Sequence, residues 1–349
     1  MARDLRLGLN VGYWGAGPPP GVEATIAEAE QLGFDSLWTA EAYGSDVLTP
    51  LAWWGSRTTR LRLGTAIVQL SARAPTATAM AAMTMDHLSG GRFILGLGVS
   101  GPQVVEGWYG RPFAKPLART REYVEIVRRV LARGGPVTAP GPHYPLPLAD
   151  GEGVTGLGKA LKPTLHPLRE DLPIFLGAEG PKNIALCGEL ADGWLALFFS
   201  PHHEGFYREA LAEGFARPGA RRSFDDFEVC ATVPLIVQDD VETAADYLRP
   251  MYALYFGGMG AKSANFHRDV PARMGYEEVV DKVQELYLAG HKDEAAAAIP
   301  TRLVEELALI GSPAKIRHDL EAWRDSIATT LLIAGPPEVL RAAAKLVLG

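Results

Sequence analysis

Residues able to meet an anion gather in Leu176-Gly177-Ala178-Glu179-Gly180-Pro181-Lys182-Asn183. Glycines end a strand there, and Pro181 opens a helix whose first N–H groups point outward. The helix dipole and the charge on Lys182 then make an anion site. A plain strand-to-helix turn accounts for the same residues equally well. Gly98-Val99-Ser100-Gly101-Pro102 ends another strand, where glycine lets a backbone approach a ligand closely. Any one of these glycines could simply relieve crowding in a tight turn. Three of them between Gly96 and Gly101 point toward a site. Tyr13, Trp14 and Tyr43 follow their strands rather than lie within them, so they suit a pocket for a planar ring and an apolar substrate. Glu41 is the titratable group beside them. It would either move a proton, with its pKa raised by aromatic neighbours, or hold a loop through an ion pair with Arg73. Arg73, Lys159, Lys162, Lys262 and Arg268 supply scattered positive charge.

Other chemistries find no support. His202 and His203 are adjacent, face different directions on a strand or helix, and lack Cys or acidic partners at zinc spacing, so no metal site is expected. No G-x-S-x-G elbow or P-loop occurs. Neither Cys187 nor Cys230 sits in a nucleophile signature, and two cysteines suit a reducing cytoplasm rather than a disulfide framework. The net charge of −7, without a basic cluster, argues against a nucleic-acid partner. No apolar run reaches the ~20 residues that span a bilayer. The opening MARDLRLGLN lacks the layout of a secretory signal, so the expectation is a cytoplasmic protein acting on a small molecule.

These groups need a frame to hold them. The 349 residues, 47% hydrophobic and 21% charged, fit one large α/β barrel or two average domains. Leu61, Leu63, Ala66, Ile67 and Val68 read as one strand, Pro75 opens a helix, and Phe93–Val99 is apolar or Gly throughout. A strand apolar on both faces lies buried between layers. Within the helix Ala77, Met80, Ala81, Thr84, Met85 and Leu88 share one face, and Gly90-Gly91 stop it. Strands Leu5–Val11 and Phe34–Thr39 come earlier, with helices over Val22–Leu32 and Asp46–Arg57. Later strands are Pro173–Gly177, Gly193–Phe199, Phe227–Val237 and Ile327–Ile333. Helices are expected over Leu117–Arg133, Lys182–Ala191, Glu242–Tyr255 and Pro337–Leu348, and from a Ser312 cap with Pro313 at the first position. Eight strands alternating with helices make a (β/α)8 barrel, one domain over 1–349 with insertions near 134–170 and 257–300. An open doubly wound sheet is the rival. Gly96, Gly98 and Gly101 match its dinucleotide fingerprint by letter, but the match begins inside a strand and Pro102 stands where a helix should start.

LGTAIVQL (63–70), DHLSGGRFILGLG (86–98) and SGP (100–102) resemble the bacterial-luciferase-like superfamily, in the branch that uses the deazaflavin coenzyme F420. The resemblance covers nearly the whole chain and identifies the superfamily rather than the reaction. It implies a TIM barrel and a cofactor site drawn from Ala66, Ile67, Gly98, Val99, Ser100, Gly177, Ala178, Glu179, Gly180, Pro181 and Lys182. The Gly-Pro-Lys turn would lie against the cofactor phosphate, and a non-proline cis peptide at Ala66–Ile67 would form a bulge behind the ring. A homodimer is implied as well. Its interface candidates are the helices between the second and fourth strands, including Trp53 and Trp54, though paired indoles could equally be core. In several deazaflavin dehydrogenases a histidine after the second strand handles the substrate proton. The matching position is Ala42, a departure that leaves Glu41 as the nearby titratable group. The expectation is hydride transfer between coenzyme F420 and a small organic substrate, with the scattered cations meeting the phosphate and polyglutamate tail. An FMN-dependent monooxygenase and a non-catalytic flavin-binding protein are the alternatives.

Overall fold

In the computed structural model, which describes residues 4–260 and 265–349, strands and helices alternate along the chain. The strands are β1 (Arg6–Gly12), β2 (Ser36–Thr39), β3 (Arg62–Thr65), β4 (Val68–Gln69), β5 (Phe93–Gly98) and β6 (Ile174–Gly177). They continue with β7 (Gly193–Ala196), β8 (Glu228–Thr232), β9 (Leu235–Val237), β10 (Leu309–Gly311) and β11 (Thr330–Ile333). The helices begin with α1 (Val22–Gln31), α2 (Leu48–Gly55), α3 (Pro75–Ser89), α4 (Pro102–Gly107), α5 (Pro116–Ala132), α6 (Pro181–Leu190) and α7 (Glu204–Phe215). After them come α8 (Val241–Ala253), α9 (Phe266–Pro271), α10 (Glu277–Leu288), α11 (Lys292–Ala297), α12 (Thr301–Leu307), α13 (Pro313–Asp325) and α14 (Pro337–Val347). The fold class is the (β/α)8 barrel with insertions. Among the described residues no helix is long and apolar enough to cross a membrane.

The chain divides into two compact units. One comprises the residues up to Val11, Pro19–Ser36 and Ala178–Gly349. Within it β1 pairs in parallel with β11, β11 with β8 and β8 with β7. β9 and β10 form a separate parallel pair. The strand expected over Phe227–Val237 is therefore two strands in two sheets. β7 stops at Ala196, short of the expected Phe199, because the chain turns at Phe198 with φ 58°.

The other unit comprises Gly12–Pro18 and Leu37–Gly177 and is centred on β5, which is buried along its whole length. β3, β4 and β6 all pair with β5 in parallel. The single strand expected over Leu61–Val68 is split at the Ala66–Ile67 peptide, which is cis, as the resemblance implied. Thr65 stitches the break. Its hydroxyl donates to the Gly96 carbonyl (2.9 Å) and accepts from the Gly96 N–H (2.8 Å), so both groups stay paired inside the core.

Two further readings are corrected in this unit. Pro102, read as an obstacle to a helix, is the first residue of α4, where its missing N–H does no harm. On α3 the residues Ala77, Met80, Thr84 and Leu88 face outward, whereas Thr78, Ala79, Ala82, Met83, Asp86 and Ser89 are buried. Asp86 can point inward because the Arg169 guanidinium meets its carboxylate, with Nε 3.1 Å from each oxygen. Small Ala79 and Ala82 let the helix lie close to the sheet. Met85, from the expected face, is buried too, so the inner face is chosen by size and pairing as well as by hydrophobicity.

Candidate active site

Three of the expected cofactor residues meet behind the cis peptide. The Ile67 side chain packs on the backbone of β5 and β6 at their carboxyl ends. A Cβ placed on Gly98 would stand 2.9 Å from Ile67 Cδ1, and one on Gly177 would stand 3.2 Å from Ile67 Cγ2. Glycine is favoured at both positions, since a Cβ at 98 would have to displace the end of the Ile67 side chain. Ala66 is fixed beside them by its N–H bond to the Thr39 carbonyl (2.7 Å). Val99 and Ser100 follow β5, and Ser100 turns left-handed (φ 59°) before Gly101 leads into α4.

Glu41 lies next along the same unit, with the residue 7% exposed. One carboxylate oxygen accepts from the Gln69 N–H (2.9 Å) and from Arg73 Nη1 (2.7 Å), and the other accepts from the Val47 N–H (3.2 Å). Gln69 Nε2 donates back to the carbonyls of Glu41 and Ala42 at 3.0 and 2.9 Å. These bonds tie the loop after β2 to the end of β4. Burial disfavours the Arg73 charge, but the bond and field of Glu41, then Asp46, outweigh it and hold the pKa above the ordinary arginine value. The partners of Glu41 are therefore Arg73, the ion pair that the sequence offered as one of two readings, and backbone N–H groups.

Tyr13, Trp14 and Tyr43 are brought together on adjoining loops. The Trp14 N–H donates to Ser45 Oγ (3.0 Å), and a Cβ at Gly44 would lie 2.1 Å from the Trp14 carbonyl oxygen. Burial, then the proximity of Tyr43, raises the Tyr13 pKa. Tyr43 is exposed, and the Trp14 ring packs 5.8 Å from that of Trp54. Gly44, Ser45 and Gln69 were invisible to sequence reasoning, because each matters only through a partner distant in the chain.

The remaining expected residues open the last segment of the other unit. Gly180 precedes α6 without a side-chain cap, and the Asn183 and Ile184 N–H groups both return to its carbonyl. Lys182 is exposed. The Ala178 carbonyl accepts from Trp194 Nε1 (2.8 Å), and the Glu179 carboxylate pairs with His267 Nδ1 (2.9 Å). Asn265 sets that histidine, since its Oδ1 accepts from the His267 N–H (3.1 Å) while Nδ2 donates to the Phe256 carbonyl (2.8 Å). Arg268 is tied to Asp281 through Nε (3.0 Å), which removes it from the expected free cations, as Glu41 removes Arg73. Lys159 and Lys162 are exposed, and Lys262 lies outside the described residues. His203 Nε2 pairs with Glu306 (3.0 Å), and no cluster suited to a metal ion occurs among the described residues.

The profile of the luciferase-like monooxygenase family matches residues 11–330. A Mycobacterium tuberculosis protein, provisionally named a coenzyme F420-dependent oxidoreductase, is 59% identical over 99% of this chain and 100% of its own length. The 5,10-methylenetetrahydromethanopterin reductase of Archaeoglobus fulgidus is 26% identical over 90% of this chain and 89% of its own. Among solved structures, the coenzyme F420-dependent tetrahydromethanopterin reductase of Methanopyrus kandleri superposes with a TM-score of 0.79 at 21% identity, covering 99% of each chain. That likeness is one of fold.

Proposed function

Because the chain belongs to the luciferase-like monooxygenase family, we infer that it is an oxidoreductase moving a hydride between coenzyme F420 and a small organic substrate. The end-to-end similarity to the mycobacterial protein carries this reading. The residues present fit such a group. Ile67, laid on Gly98 and Gly177, offers an apolar support for a planar ring. Gln69 Oε1 and Trp14 Nε1 are buried without a hydrogen-bond partner, as groups awaiting a polar ring edge would be. Lys182 and the uncapped start of α6 suit a phosphate.

Bound deazaflavin supplies the hydride chemistry at its C5 carbon. Ile67, Gly98, Val99 and Ser100 position the ring, and Tyr13, Trp14 and Tyr43 shield the substrate side from water. Glu41 acts by positioning. Its bonds to Arg73 and Gln69 hold the loops after β2 and β4 in register, which keeps Gln69 Oε1 in place.

A binding titration of the purified protein with F420 and with FMN tests the assignment. F420 is expected to bind the more tightly, and Lys182→Ala to weaken it by about 1.5–3 kcal/mol, the range for a hydrogen bond to a charged group. Tighter binding of FMN would place the chain among the oxygen-using members instead. Equal F420 affinity in Lys182→Ala would remove the phosphate from this turn.

A further inference from the structure

We propose that the cavity bounded by Arg73, Arg111 and Tyr144 binds an amphipathic anion, an apolar body that carries one carboxylate or phosphate. The cavity measures about 400 Å3 and lies wholly within the unit centred on β5. That volume falls in the roughly 300–1,000 Å3 range of small-molecule sites. None of Tyr13, Trp14 or Tyr43, the residues expected to line the substrate pocket, borders it.

Its lining is divided. Leu70, Val99, Val105 and Phe113 give an apolar wall, and Arg111, Arg119 and Tyr144 give a polar one. Arg73 is already neutralised by Glu41. Arg119 Nε is engaged by the Ala114 carbonyl (2.9 Å), and its charge acts on the nearby Tyr144 hydroxyl. The Arg111 backbone N–H bonds to the Val105 carbonyl, but its guanidinium makes no hydrogen bond or ion pair among the described residues and acts only through its field on Tyr144. Pro116, the first residue of the long helix α5, brings the positive end of a helix dipole to the same edge. A separate observation points to an occupant. Ser71 also lines the cavity, and its hydroxyl is buried with no hydrogen-bond partner. A buried hydroxyl left unpaired is costly, a deficit that a polar atom brought against it would remove.

The Leu70 N–H donates to the Gly98 carbonyl (3.1 Å), so the cavity begins one residue beyond the contact between Ile67 and Gly98. An occupant there would adjoin the ring support, which makes it the substrate; that assignment rests on the oxidoreductase reading, whereas the site itself does not. A glutamate tail fits the cavity poorly. It carries an amide at every residue, and the apolar wall offers those amides nothing to bond.

Calorimetric titration of the cofactor-free protein with 4-phenylbutyrate and with 4-phenylbutanol separates charge from shape. The acid is expected to bind at least about tenfold more tightly than the alcohol, a factor equal to about 1.4 kcal/mol. Arg111→Gln should erase that preference while leaving the affinity for the alcohol unchanged. Equal binding of acid and alcohol by the parent, or a preference that survives in Arg111→Gln, overturns the proposal. In parallel, Arg111→Gln should bind F420 as the parent does, with or without its glutamates. Weaker binding of the glutamylated coenzyme alone would put the tail in the cavity and overturn the proposal too. A parent that binds no F420 yet prefers the acid would refute the F420-dependent reading and leave the anion site standing.

Discussion

Both carboxylate oxygens of Glu41 already accept from nitrogen donors, so replacing the group by an amide puts N–H against N–H. Glu41→Gln is therefore expected to lose about 1–3 kcal/mol of stability in urea unfolding. Its pH–rate profile should keep the shape of the parent's, since the role proposed for this carboxylate is to hold loops. A missing or displaced limb would show that Glu41 itself titrates in turnover. A different residue sets an alkaline limit. The Tyr276 hydroxyl donates to Glu306 (2.8 Å), and burial, then that carboxylate, pushes its pKa up to about 12. An unfolded tyrosine ionises near about 10, so between these values the folded chain holds the extra proton. Stability is full below the unfolded value and falls as pH rises through that window. Tyr276→Phe should lose less stability than the parent between about pH 9 and about pH 11. Equal losses would show that Tyr276 contributes nothing to the slope.

At the scale of elements, the break between β3 and β4 depends on one side chain. Thr65→Val keeps the shape but strips both bonds from Gly96. A loss of about 1–3 kcal/mol in denaturant unfolding is expected; an unchanged midpoint would mean that the neighbouring ladder satisfies Gly96 alone. The alternation of strands and helices was legible in the sequence, as were the Gly90 stop, the Ser312 cap and most boundaries to within a few residues. The break at Ala66 was not legible from local pattern, because Leu63 to Val68 is continuously strand-like and only the family resemblance flagged the peptide. The outward face of α3 was hidden for another reason. Its inward Asp86 is compensated by Arg169, more than eighty positions away in the chain, and no local periodicity registers such a pair.

For the whole molecule, the outward apolar stripe of α3 has a counterpart on α2. Trp53 is 61% exposed, Met80 60% and Leu88 75%, whereas Trp54, first paired with Trp53 as an interface candidate, is core at 4%. We propose that this face pairs two copies about a two-fold axis. Light scattering should then give about twice the 37.5 kDa chain mass, and Met80→Asp should return it to the single-chain value. A parent that scatters as one chain at micromolar concentration rejects the dimer. The sequence offered the glycines, the Gly-Pro-Lys turn, Glu41 and the aromatics after the first two strands as candidates for the site, but not the contacts that join them. The cavity beside Arg73 draws on residues near 70–74, 99–105, 111–119 and 143–144, and no motif can spell a surface assembled from four separate stretches.

The meeting of Ile67 with Gly98 and Gly177 bears on how this chain can be altered. The three positions share one small volume, so they form a single variable for inheritance and for engineering alike. A methyl group gained at 98 is best answered by a smaller side chain at 67, and a larger residue at 67 finds no glycine left to give way. Libraries that randomise the three sites together can reach combinations that single-site libraries miss, along a path where volume gained at one position is surrendered at another.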